Sequence, residues 1–202
     1  MKKIEKQSIS QPNNIFQNVV WTLTPRPVWI VGTCNEDGSA NLSTITCVSH
    51  TPGPPDNIII SMHAKRTNAN IQRTGGFTIN LANVEMAPLA DYVGTVSGDD
   101  CVKDAVPYSF AWGEKIHAPV LDASPCAIEC KVSQTHVIGN FHTFFGEIIN
   151  LHIDLSISNP PMGKSQEAIV EWFNAIDIHN IDPLVYHSFP QKYYRVGEKV
   201  KY

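Results

Sequence analysis

The densest cluster of chemically competent side chains is Ser61, His63, Lys65, Arg66 and Thr67. Two cations, two hydroxyls and an imidazole sit where an apolar run, Ile58 to Met62, gives way to a short helix expected over Asn68 to Thr74. Thr67 is the expected N-cap of that helix and Gly75 its stop. Backbone amides at a helix start lack partners and the helix dipole is positive there, so such a loop suits a single phosphate. A solvated turn with an ordinary cap would use the same residues.

A second candidate is the strand expected over Asn41 to Ser49, whose Ser43, Thr44, Thr46, Cys47 and Ser49 are too polar for a plain core strand. Hydroxyls on strands either bond neighbouring carbonyls or face a ligand. His142 is the third, an imidazole on the long strand Phe141 to Ile153, between Gly139 and Gly146. Among the histidines and cysteines only Cys47 and His50 approach zinc-ligand spacing, which is incidental, and no metal is expected. The glycine-rich nucleotide loops, the His-Glu-x-x-His helix and the Gly-x-Ser-x-Gly elbow are all missing.

The elements that must position these residues read as strand-rich first and helical late. Val28 to Thr33 is an apolar strand, turned at Asp37-Gly38 into the Asn41 to Ser49 strand, which stops at Pro52, Gly53, Pro54 and Pro55. Gly76 to Ala82 is the next strand, and Asn83 caps a helix running to about Val93. Gly94 to Pro119 reads as a long surface excursion. Cys126 to Val132 alternates with period two, Ser165 to Ile176 is an amphipathic helix, and the tail from Pro183 is aromatic and irregular. Short strands with hairpin turns, and helices out of alternation with them, predict a mainly β architecture with peripheral helices, an antiparallel barrel rather than a doubly wound sheet.

Composition sets the outer limits. The chain has 202 residues, 43% hydrophobic and 17% charged, which excludes a disordered chain and gives a single domain over 1–202, with its core over about 20–155 and a C-terminal helix and tail over 156–202. A net charge of −4 argues against non-specific nucleic-acid binding. Neither a secretory signal nor an apolar run of membrane-spanning length is visible, so a cytoplasmic protein without membrane attachment is expected. The five cysteines, odd in number and without a Cys-x-x-Cys pair, read as buried thiols in a reducing compartment.

Five segments in order resemble the flavin reductase-like family, the FMN-binding split-barrel proteins that include flavoredoxin. They are Thr24 to Val28, Asn41 to Pro55, Lys65 to Asn80 (Thr-x-x-Asn-Ile-x-x-Thr-Gly-x-Phe-x-x-Asn from Thr67), Gly139 to Glu147, and Asp182 to Gly197. The resemblance implies a Greek-key split barrel that forms a homodimer with one FMN per subunit. It places the FMN phosphate on Ser61, Lys65, Arg66 and Thr67, with His63 in the same loop. The isoalloxazine edge falls to Thr46, Cys47, Val48 and Ser49, with Thr44 beside them. Lys103, after Asp99 and Asp100, resembles a family lysine that reaches the ligand, and His142 resembles the histidine associated with nicotinamide. The implied activity is hydride transfer from NADH or NADPH to flavin. The alternative is a flavoredoxin-type FMN electron carrier working with protein redox partners.

Overall fold

A computed structural model describes residues 24–99, 103, 105–154, 165–188 and 191–198. Strands β1 (Arg26–Pro27) and β2 (Trp29–Cys34) open the chain, and a turn leads to β3 (Ala40–Ile45). Asp37 fixes that turn by accepting from the Ser39 amide at 2.9 Å, while Gly38 takes the positive φ of 83° that the reversal needs. The strand expected over Asn41 to Ser49 is in fact two. It breaks at Thr46 and Cys47, and β4 (Val48–Thr51) follows, because the chain changes sheet edge at that point.

Next come β5 (Asn57–His63), α1 (Arg66–Thr74) and β6 (Gly76–Leu81). A single 3-10 turn (Val84–Met86), held by Asn83 Oδ1 accepting from the Met86 amide at 3.1 Å, runs into α2 (Ala87–Thr95). The supposed surface excursion contains a hairpin, β7 (Phe110–Trp112) and β8 (Pro119–Leu121). The long hairpin β9 (Cys126–Ile138) and β10 (Phe141–Ile153) follows, then α3 (Gln166–Ala175), α4 (Ile178–Ile181), β11 (Val185–Ser188) and β12 (Gln191–Tyr194). The tail is therefore a regular hairpin that pairs with β1, not an irregular segment. Met1 to Ser10, Cys101 and residues 155–164 lie outside the described residues.

Seven antiparallel strands share one sheet in the order β3-β2-β6-β9-β10-β5-β4. Its two edge strands are consecutive in the chain and separated only by Thr46 and Cys47. Two residues cannot span a flat seven-stranded sheet, whose strands lie ~4.8 Å apart, so the sheet curls until its edges meet. The result is a barrel whose seam lies between β3 and β4. Its interior is Val31, Ile45, Ile58, Ile60, Phe77, Ile79, Cys130 and Phe144, with Ile71 of α1 packed into the same cluster. Alternation sends Ile30 and Leu42 to the opposite face, where Leu89, Ala90 and Val93 of α2 and Leu184 cover them. Among the described residues no helix is long and apolar enough to cross a membrane.

The interior is close-packed at Gly146, where a Cβ would meet Phe77 Cζ at 2.7 Å and Cys130 Cβ at 2.8 Å, and both of those residues are fully buried. Gly146→Ala is expected to destabilise the fold by about 1–3 kcal/mol through overpacking, read as a lower urea midpoint at unchanged slope. A variant as stable as wild type would show that the barrel can relax there.

A buried carboxylate holds the loop between β7 and β8. Glu129 is fully buried and accepts from the amides of Glu114 (3.1 Å), Lys115 (2.7 Å) and Ile116 (2.6 Å). It also accepts from Asn150 Nδ2 at 2.7 Å and meets His152 Nε2 at 2.8 Å. Burial works to raise the pKa of Glu129, but the hydrogen bonds from His152, Ile116, Asn150 and Lys115 outweigh it and hold the carboxyl at about 2. Trp112 and His117, at the two sides of this loop, stack with ring centroids 4.1 Å apart.

Candidate functional site

Helix α1 starts two residues earlier than the sequence suggests. Its N-cap is Lys65, in extended backbone and with no side-chain cap, so Thr67 lies inside the first turn rather than capping it. Released from capping, the Thr67 hydroxyl accepts from Asn41 Nδ2 at 2.9 Å, and the same Asn41 amide reaches Thr33 Oγ1 at 3.0 Å. Asn70 Nδ2 donates to Thr33 Oγ1 (3.1 Å) and to Asn35 Oδ1 (2.8 Å). This buried chain locks the first turn of α1 to β2 and β3. Because Thr67 Oγ1 is already an acceptor, its own proton is left to donate outward.

That turn faces a cavity of ≈ 60 Å³, lined by Asn41, Ser43, Lys65, Arg66, Thr67 and Lys103 on one side and by the 93–98 segment on the other. Lys103 Nζ donates to the carbonyls of Leu42 (2.8 Å) and Val93 (2.9 Å), so its charge sits at the C-terminal end of α2 and ties that end to β3. A second cavity of ≈ 160 Å³ is lined by Thr44, Ile45, Thr46, Asp91, Tyr186 and Tyr193, together with Gly94 and Thr95. Gly94 and Thr95 line both cavities, so the two adjoin across the last turn of α2. Gly94 allows this, since a Cβ there would stand 3.1 Å from Thr44 Cβ. The Thr44 hydroxyl donates to Ala90 O at 2.6 Å, which seats α2 on the β3 edge.

In the larger cavity Tyr193 donates to Asp91 Oδ1 at 3.3 Å and packs against Tyr186, centroid to centroid 5.4 Å. Burial and the neighbouring Asp91 carboxylate push the Tyr193 phenol well above its ordinary value, so it stays a neutral donor across the physiological range. One end of the paired cavities is thus cationic and rich in donors, and the other is aromatic with polar edges.

The remaining residues singled out from sequence lie elsewhere. Ser61 shares a 2.7 Å hydrogen bond with Thr143, and the His63 ring packs against Phe141 with centroids 3.9 Å apart and the planes tilted by 38°. Both lie on one face of the β5–β10 pair, whereas His142, opposite Met62, points to the other face and contacts Gln72 Nε2 through Nδ1 at 3.2 Å. Cys47 lies in the two-residue link between β3 and β4, where its carbonyl extends the β4–β5 ladder by accepting from the Ser61 amide at 3.1 Å and its Sγ lies 3.8 Å from Arg26 Nη1. Val48 and Ser49 open β4, opposite Ile60 and Ile59. The structure therefore gathers Lys65, Arg66, Thr67 and Lys103 in one cavity and Thr44 and Thr46 in the next, while neither cavity is lined by Ser61, His63 or His142.

Ser43, singled out in sequence among the strand hydroxyls, lines the smaller cavity, whereas sequence reasoning passed over Asn41 as a ligand neighbour and missed Asp91, Gly94, Thr95, Tyr186 and Tyr193 altogether. Asn41 carried a signal in its polarity at the start of a strand already rich in hydroxyls, but the two tyrosines carried none, since only tail docking brings them to β3. Among the described residues no cluster of His, Cys, Asp and Glu could hold a metal ion.

The donor set fits a phosphorylated group. Two cations and a hydroxyl line the cavity at a helix start. The chain is 26% identical to the flavoredoxin of Methanosarcina acetivorans, with a TM-score of 0.77 over 100% of this chain and 95% of that one. It is also 26% identical to the flavoredoxin of Desulfovibrio vulgaris (Miyazaki F), with a TM-score of 0.76 over 100% and 97%. A protein with a split barrel domain from Shewanella frigidimarina NCIMB 400 shares the fold at 18% identity, with a TM-score of 0.75 over 100% and 98%. The family model described as flavin reductase like domain matches residues 21–191, and with that match over most of its length the chain belongs to the flavin reductase-like family of split-barrel proteins.

Proposed function

We propose that the protein binds FMN and works as a flavin reductase-like oxidoreductase that passes hydride from NADH or NADPH to flavin. The observation that carries this reading is the pair of adjoining cavities, cationic at Lys65 and Arg66 and tyrosine-lined at Tyr186 and Tyr193. A mononucleotide with a phosphate at one end and a ring system at the other has that same polarity. In this reading Lys65, Arg66, Thr67 and the α1 amides hold the phosphate, and Ser43 lies along the ribityl path. Thr46 and the backbone of Cys47, Val48 and Ser49 meet the ring edge, where amide donors stabilise charge without reorganising. Lys103 acts by anchoring α2, and Ser61 and His63 support the strand that leads into the loop. Bound FMN supplies the hydride-accepting ring.

His142 is assigned to positioning the nicotinamide. His142→Ala is expected to raise the NADH concentration needed for half-maximal flavin reduction while leaving FMN affinity nearly unchanged; equal loss of FMN binding would remove that role. The whole chain acts as one domain in this reading, and a homodimer forms through the exposed apolar hairpin tip at Val137, Ile138 and Phe141.

The second reading, an FMN electron carrier with protein redox partners, is favoured by the two flavoredoxin relatives at 26% identity. Anaerobic titration of FMN-loaded protein with NADH and then NADPH separates the two. Bleaching of the oxidised flavin band at stoichiometric nucleotide supports the reductase. A flavin that stays oxidised but is reduced rapidly by a ferredoxin-like donor supports the carrier.

A further inference from the structure

The guanidinium of Arg66 reaches the phosphate cavity with an anion of the chain already on it. Its Nε donates to Asp99 Oδ1 at 3.2 Å, and the two side chains are 40% and 51% exposed. The contact is seated by backbone rather than left to two mobile side chains. A Cβ at Gly98 would stand 2.9 Å from Asn41 Oδ1 and 3.1 Å from Arg66 Cδ, so the chain at residue 98 lies flush against the arginine stem. Ser97 Oγ accepts from the Asp99 amide at 3.3 Å, and Ser97 and Gly98 are themselves part of the cavity wall. The cavity wall thus delivers a carboxylate to the cavity's own cation.

A carboxylate and a phosphate compete for the same guanidinium donors, and their negative charges repel at short range. We propose that Asp99 is a built-in competitor for the cofactor phosphate. It holds Arg66 when the cavity is empty and gives it up when phosphate enters. Phosphate affinity is thereby set below what Lys65, Arg66 and Thr67 would reach without it. The functional consequence is a flavin that exchanges with the pool rather than remaining as a fixed prosthetic group. This inference rests on the reading of the cavity as the FMN phosphate site.

The test is Asp99→Asn, an isosteric change at an exposed position, with FMN and riboflavin each titrated by flavin fluorescence against wild type and variant at one fixed ionic strength. The expected result is FMN bound about three- to tenfold more tightly by the variant, the range set by an exposed ion pair plus removal of one nearby repelling charge. Riboflavin, which lacks the phosphate, is expected to bind both proteins equally. FMN dissociation measured by stopped flow slows by a similar factor. Unchanged FMN affinity overturns the proposal. Weaker FMN binding also overturns it, and assigns Asp99 to orienting Arg66 instead. An equal gain for riboflavin overturns it as well, since the effect would not act through the phosphate. If wild type itself does not prefer FMN to riboflavin, the phosphate-site reading fails first and takes this inference with it.

Discussion

Replacing Glu129 with alanine is expected to destabilise the protein by about 3–5 kcal/mol, the size of effect seen when one member of a buried charged network is removed. Three loop amides, Asn150 and His152 all lose their acceptor at once, and the groups left buried retain their desolvation cost. A domain of ordinary stability, about 5–15 kcal/mol, would be left marginal. Urea unfolding reads the loss, and Glu129→Gln, which keeps one oxygen but turns an amide toward the loop donors, should fall between alanine and wild type. A loss under about 1 kcal/mol in the alanine variant would mean that water replaces the carboxylate and that the network does not hold the β7–β8 loop.

The same carboxylate sets an acid limit. Its pKa is about 2 in the fold against 4.5 for an ordinary glutamate side chain, so between those values the unfolded chain binds the extra proton. Stability from Glu129 is therefore fully present above pH 4.5 and is lost as pH falls toward 2, about 3 kcal/mol in all. The Gln variant, with nothing to titrate, should show a shallower stability slope in that window. Identical slopes would place the acid sensitivity elsewhere.

The second large effect is on cofactor affinity. Simultaneous Lys65→Ala and Arg66→Ala should weaken FMN by about 3–4 kcal/mol, roughly a hundredfold or more, since each removes a charge-assisted contact worth about 1.5–3 kcal/mol and neighbouring losses do not add fully. Riboflavin affinity should hardly change, because the tyrosine-lined cavity is untouched. Lys65 is the N-cap by backbone alone, so its side chain can be removed without breaking the helix start. Parallel loss of riboflavin binding would show that the two cations support the ring end, or the fold, rather than a phosphate. The Lys65→Ala and Thr67→Ala single variants should each lose about 1–3 kcal/mol toward FMN, but Thr67 also anchors Asn41, so its variant needs a melting curve beside it.

Much of this protein was legible from residue order. Period-two alternation and turn residues marked the strands of the barrel, because burial on one face leaves a local record in the chain. The cation-hydroxyl cluster at Lys65 to Thr67 was legible for a similar reason: a helix start and its neighbours are consecutive residues. What the chain could not show locally is whatever depends on which distant segments meet. The break at Thr46 and Cys47 exists because the sheet closes on itself, a property of seven strands and not of those two residues. Ser61 and His63 stand near the cations in sequence, yet strand geometry turns them onto a face bonded to Thr143 and Phe141. Asp91, Tyr186 and Tyr193 join the site only when α2 and the C-terminal hairpin dock against β3. Residue types and local periodicity therefore determined most of the barrel strands and the cation-hydroxyl loop, whereas the strand break, the β7–β8 and C-terminal hairpins, the tyrosine-lined cavity, the carboxylate on Arg66 and the Glu129 anchor were decided by long-range packing. Their partners lie 13 to 102 residues apart in the chain, where only the closed barrel brings them within hydrogen-bonding reach.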